Sequence, residues 1–180
     1  MEKERQPHFT IEEMSADDIE EETQMRLQSW LDTYVNEAAG VTREWIEERN
    51  ARHLSPEKVA SRRKRFEDNY TNGTLHAWVA RDEDGAIIGS TTPFIEDDDT
   101  QRLGSLYIAK EWHGTGVGSA LMQKAIDWFD PAKPIRLGVA AYNNRAKAFY
   151  RKWGFEEVPE SEELFDDRIP GVQMIRKVTK

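Results

Sequence analysis

Glycines 114, 116 and 118 occupy alternate positions in Trp112-His-Gly-Thr-Gly-Val-Gly-Ser-Ala-Leu121. Glycine at this density weakens a helix interior but lets backbone approach a ligand closely. Upstream, Leu103-Gly-Ser-Leu-Tyr-Ile-Ala109 reads as a strand. Downstream, Val117, Ala120, Leu121, Ala125 and Trp128 recur at helical spacing, and Asp130-Pro131 stops the run. The glycines therefore lie where a strand passes into a helix N-terminus. Unpaired N–H groups and the positive end of the helix dipole gather there, a setting that binds anions and phosphates above all.

Two common phosphate loops do not fit. A Walker A loop needs a lysine after the last glycine, and none follows. The dinucleotide fingerprint needs glycine at position 119 or 121, which hold Ser119 and Leu121. The preceding segments also read as consecutive strands rather than a βαβ unit.

The elements that must carry this turn follow from periodicity. Phe9 to Met14 alternates as a first strand. Ser15 or Asp17 caps a helix predicted to run to about Glu37, with Met25, Leu27, Trp30, Leu31 and Tyr34 among its apolar positions. Thr42 caps a second helix through Trp45 and Ile46, and Ser55-Pro56-Glu57 opens a third that reaches about Tyr70. Leu75–Ala80 and Ala86–Thr91 flank Asp82-Glu-Asp-Gly85 as a hairpin, and an acidic loop follows Phe94. After the glycine turn and its helix come a strand over Ile135–Ala141 and a helix over Asn144–Trp153. Strands over Phe155–Val158 and Gly171–Val178 close the chain. This order predicts one mixed α/β domain over residues 1–180, largely antiparallel in its first half, with residues 1–7 as a flexible tail.

Composition narrows the function. The 180 residues include no cysteine, so no disulfide framework or thiolate metal site exists, and a cytoplasmic setting is expected. Formal net charge is -9, which argues against nucleic acid as a partner and favours a cationic one. No apolar run reaches membrane-spanning length, so no membrane partner is expected. The basic run Ser61-Arg-Arg-Lys-Arg65 reads as a solvated helix face. His8, His53 and His76 lack metal-ligand spacing, and no metal is expected.

The remaining phosphate loop is that of acyl-CoA enzymes, and here the sequence resembles the GNAT superfamily of N-acetyltransferases. Its signature, Gln/Arg-x-x-Gly-x-Gly/Ala, matches at Gly116 and Gly118, with His113 at the position usually held by glutamine or arginine. A second block, Val139 to Phe155, resembles the family's later segment: Asn143 follows a strand, Tyr150 comes seven positions later, and Lys152-Trp-Gly-Phe155 ends the helix. The resemblance covers residues 74 to 156 and implies a mostly antiparallel sheet, flanked by helices and splayed between its fourth and fifth strands.

It also implies acetyl-CoA as co-substrate. Leu106, Tyr107 and Ile108 would pair with the pantetheine amides as with an added strand. Backbone from His113 through Gly114, Thr115, Gly116, Val117 and Gly118 to Ser119 would hold the diphosphate. Asn143 would orient this side of the cleft, and Tyr150 would be the general acid for the leaving thiolate. An amine acceptor attacks directly and must first lose a proton, which at a lysine-like pKa costs about 4–5 kcal/mol at pH 7. Among nearby carboxylates Glu96 is the leading base. The Trp30-Leu-Asp-Thr-Tyr34 helix and the Ile169–Lys177 end resemble polyamine-type members, so Trp30 and Tyr34 are expected at the acceptor pocket. A homodimer is compatible with the family's habit.

Plainer readings stand beside these. Tyr150, Trp30 and Tyr34 also suit a helix's core stripe, Asn143 a helix cap, and Glu96 an acidic surface loop. Acetylation of a protein N-terminal or lysine amine, and an acyl-CoA-binding module without turnover, are the competing functions.

Overall fold

A computed structural model describes residues 8–178; the expected tail, residues 1–7, lies outside them. The elements run β1 (Thr10–Glu13), α1 (Ile19–Tyr34), α2 (Arg43–His53), α3 (Pro56–Thr71), β2 (Trp78–Arg81), β3 (Ile87–Ile95) and β4 (Gln101–Ile108). Then follow α4 (Val117–Trp128), β5 (Ile135–Ala140), α5 (Asn144–Lys152), β6 (Phe155–Glu157), β7 (Glu163–Phe165) and β8 (Ile169–Arg176). The predicted first helix is shorter than expected. It stops at Tyr34 because Val35 turns extended and Asn36 bridges to Val41 around Gly40, whose φ of 73° suits glycine.

All strands join one sheet in the order β1-β2-β3-β4-β5-β8-β6, with β7 also on β8. Every pairing is antiparallel except β4 with β5. That parallel ladder covers only Gln101↔Ile135 and Arg102↔Arg136. Beyond it the two strands part, so the sheet opens as a V, as the family resemblance implies. Gln101 fixes the closed end. It is buried, its amide donates to the Asp130 carbonyl at 3.1 Å, and its Oε1 accepts from the Asp130 N–H at 2.6 Å. This ties the start of β4 to the loop entering β5.

Side-chain alternation builds a core on each face. Trp78, Ala80 and Ile88 meet Val117 and Leu121 of α4, while Ala77, Val79 and Ile87 meet Ile19, Val59 and Phe66 of α1 and α3. Met122 and Ala125 of α4 and Tyr150 of α5 pack with Leu103, Leu137 and Met174. Burial of such clusters drives the two-layer arrangement, at about 25 cal/mol for each Å² of apolar surface removed from water. A Cβ on Gly89 would lie 3.0 Å from Leu121 and 3.1 Å from Val117, so this glycine lets α4 press closely on β3. That contact sets where the first turn of α4 stands. Among the described residues no helix is long and apolar enough to cross a membrane.

Candidate active site

The open V of the sheet is faced by the glycine turn. After β4, residues Lys110–Trp112 make one 3-10 turn, and the Thr115 N–H returns to the Trp112 carbonyl at 3.4 Å. Gly114 and Gly116 have φ of 80° and 98°, values that side chains rarely adopt, and no atom lies within 4 Å of a Cβ built on either. Conformation rather than crowding therefore requires glycine here. Helices α2, α3 and α5 are each capped by a side chain: Thr42 on Trp45 N–H, Ser55 on Lys58 N–H, Asn143 on Ala146 N–H. Helix α4 begins at Gly116 with no side-chain cap. Its first-turn amides, on Val117, Gly118 and Ser119, have no preceding helical carbonyl to reach.

His113 lies beside this turn. Its Nε2 stands 3.1 Å from the Ile108 carbonyl, which can only accept, so Nε2 carries the proton. Its Nδ1 then accepts from the Arg145 guanidinium, supplied by α5. Burial and the nearby Arg145 charge both hold the imidazole below the usual histidine pKa, so it is neutral at pH 7. Sequence reasoning missed Arg145. No local pattern marks it, because the two residues lie 32 positions apart and meet only when α5 docks.

The aromatic residues converge across the V. Trp30 Nε1 donates to the Tyr107 hydroxyl at 3.0 Å, and the Tyr142 hydroxyl donates to the Tyr34 carbonyl at 2.7 Å. Tyr107 and Trp30 belong to the α1 side of the sheet and Tyr150 to the α4–α5 side. Even so, the Tyr107 phenol helps to raise the pKa of Tyr150, and Tyr107 and Tyr150 help to raise that of Tyr34. Side chains from opposite faces come this close because the β4–β5 ladder has ended. Burial is the main cause of both shifts, and it keeps both phenols protonated at pH 7. Asn143 spends its Oδ1 on the α5 cap.

A cleft of about 1120 Å³ opens on the α1–α3 side, along Gly104, Ser105 and Tyr107 of β4. Ser105 pairs with Thr92 and Leu103 with Pro93, so Gly104 is an extra residue that bends β4 at this point. Glu96 and Asp97 line the cleft, and Glu96 accepts from Arg102 Nε at 3.1 Å. Trp30 and Tyr34 do not line it. They stand behind Tyr107 as its support, with the Arg49 guanidinium carbon 3.6 Å above the Trp30 ring. The structure thus gathers the glycine turn, Leu106–Ile108, Asn143 and Tyr150 around the V, and sets Glu96 at the rim of the adjoining cleft. Among the described residues no group of three His, Asp or Glu side chains is placed to hold a metal.

This architecture has known counterparts. The acetyltransferase (GNAT) family matches residues 41–155. An uncharacterized N-acetyltransferase of Mycobacterium tuberculosis is 36% identical over 113 residues, spanning 57% of this chain and 70% of its own. A probable N-acetyltransferase of the same species is 28% identical over 133 residues, or 71% of this chain and 66% of its own. Among solved structures, the PaiA N-acetyltransferase of Thermoplasma acidophilum, in complex with coenzyme A, superposes with a TM-score of 0.71 and 25% identity. That match covers 94% of this chain and 99% of the other. With its sheet parted between β4 and β5 and a glycine turn at the opening, the chain belongs to the GNAT family of acetyltransferases and is an N-acetyltransferase.

Proposed function

We propose that this protein moves the acetyl group of acetyl-CoA onto an amine by direct attack on the thioester. The observation that carries the reading is the uncapped start of α4 at Gly116, placed where β4 and β5 separate. Backbone amides from Gly114 to Ser119 hold the diphosphate, with Arg145 beside His113 as the nearest cation supplied by α5. The pantetheine arm lies along Leu106–Ile108, where β4 has lost its neighbour. A main-chain donor of that same stretch steadies the developing oxyanion.

The neutral amine nitrogen attacks the carbonyl carbon, the C–S bond breaks, and the thiolate takes a proton from Tyr150. The proton released by the new amide nitrogen then balances the one Tyr150 gives up. Burial keeps the Tyr150 phenol protonated and so available as a donor, and desolvation of the thiolate leaving into the same space raises its basicity, which offsets the weaker acidity of the buried phenol. Glu96, on the cleft rim, accepts the proton from the incoming ammonium through water. Asn143 holds α5, and with it Tyr150, in place through its cap.

The acceptor is an amine that enters through the α1–α3 cleft. A thiol-release assay with acetyl-CoA and a panel of amines tests the reading, with mass spectrometry of the product. Amine-dependent release with an N-acetyl product is expected. Tight coenzyme binding without release for any amine would instead make the chain an acyl-CoA-binding module.

A further inference from the structure

The helical wall of the cleft beside β4 is basic in a protein whose net charge is -9. Arg26, Lys58, Arg62 and Arg65 line this wall with Glu22 as the one acid among them, and Glu96 and Asp97 lie elsewhere in the lining. The acids do not neutralise that wall evenly. Glu96 is bound to Arg102, outside the lining. Glu22 is buried and shared: Arg26 Nε lies 3.4 Å from Oε1, Arg62 Nη2 lies 3.0 Å from Oε2, and the Ser90 hydroxyl donates at 3.1 Å. One carboxylate thus serves two half-buried guanidinium groups. Arg26 and Arg65 each act as like charges on Arg62, and Arg26, Arg49 and Arg62 act so on His53, which also lines the cleft. Among the described residues Lys58 and Arg65 form no ion pair.

From this charge pattern we infer that the acceptor is a small amine that also bears an oxyanion, carboxylate or phosphate, bound by Lys58, Arg62 and Arg65 while its amine reaches Tyr107 on β4. Guanidinium groups bind such oxyanions in a forked, two-bond geometry. The cavity holds both ends: the cationic wall on α3 and the Ser105–Tyr107 edge from which the thioester would be reached. A polyamine would bring further cations to a wall that already carries an excess of them. The inference rests on the acetyl-transfer reading for its second part only, since the oxyanion site can be measured without turnover.

Two measurements test it, with a Lys58→Gln/Arg65→Gln double variant whose replaced side chains are both exposed. First, with coenzyme A saturating so that the Gly114–Ser119 amides are already occupied, the melting temperature is followed with added inorganic phosphate or glutarate against sodium chloride at equal ionic strength. The native protein should gain several degrees and the variant none; equal shifts in both overturn the inference. Second, acetyl transfer is compared for matched acceptors: an amino acid, its amide, and an aminoalkyl phosphate. The oxyanion-bearing acceptors should exceed the amide by about tenfold or more in kcat/KM, and the variant should erase the difference. Which of the two oxyanions is preferred assigns the group. Equal rates for acid and amide, or transfer to acidic peptides alone, overturn it. An anion-specific stabilisation without transfer to any amine would uphold the oxyanion site while overturning the acetyl-transfer function.

Discussion

The two sides of β4 offer a ligand different groups. The α4–α5 side presents main-chain amides, bared by glycine and by a helix with no side-chain cap, where the coenzyme is proposed to bind. The α1–α3 side presents charged side chains drawn from α1 and α3, where the acceptor is proposed to bind. Main-chain recognition tolerates side-chain change, so a coenzyme held by these amides would accept His113 at the position where the family usually has glutamine or arginine. Side-chain recognition changes with each substitution, so on this proposal the acceptor would differ more readily than the coenzyme.

The largest effect that separates the two sides is expected at Tyr150, where they meet. Tyr150→Phe should lower thiol release by about 10²-fold or more while coenzyme A affinity measured by calorimetry is retained. Equal rates would remove the phenol from proton transfer. Next is Glu96→Gln, expected to lower kcat at pH 7 by about tenfold, with the loss fading at higher pH as the acceptor amine ionises less. A pH-independent loss would make Glu96 a partner of Arg102 and nothing more.

Gly116→Ala sharpens the contrast from the coenzyme side. No atom lies within 4 Å of the added Cβ, so the cost is conformational, about 1–2 kcal/mol, and coenzyme A should bind about tenfold more weakly. Acceptor KM should hardly move. If acceptor KM rises as much as the coenzyme Kd, the two sides are not independent.

The smallest effect concerns His113. Its pKa is lowered, so the unfolded chain binds the proton first. Stability from this neutral ring is complete above the ordinary histidine value of about 6.5 and is lost as pH falls through the lower folded value. Proton NMR should show a His113 midpoint below 6.5 in the free protein, moving upward when the coenzyme's diphosphate is present. A midpoint at or above 6.5 without ligand would contradict the Arg145 contact.

How much of this was readable in the residues divides along the same line. The glycine turn was legible because its requirements are local: positive φ demands glycine at 114 and 116, while Asn143 and Tyr150 came through the family resemblance and lie within one cap and helix. The α1–α3 cleft was not, because its wall exists only in tertiary structure. The run Ser61–Arg65 reads as a solvated face, and for Arg63 and Lys64 that holds, since they pair with Asp17 and Asp68. Arg65 is exposed as well but lines the cleft, as do the less exposed Arg62 and Arg26, the latter 36 positions from Arg62 and on another helix. Trp30 and Tyr34 were expected at the pocket by resemblance. They stand one layer behind it, because the Tyr107 ring comes between. Strand β7 was missed altogether, being three residues long with Leu164 exposed, too short to show alternation.

If bared amides at the start of α4 hold the coenzyme and direct its thioester into the parted sheet, amide NMR during a coenzyme A titration shows it most directly. The largest saturable shifts are expected at Gly114–Ser119 and Leu106–Ile108, with Lys58 and Arg65 unmoved. Absence of binding, or shifts centred on the α3 wall, would contradict it.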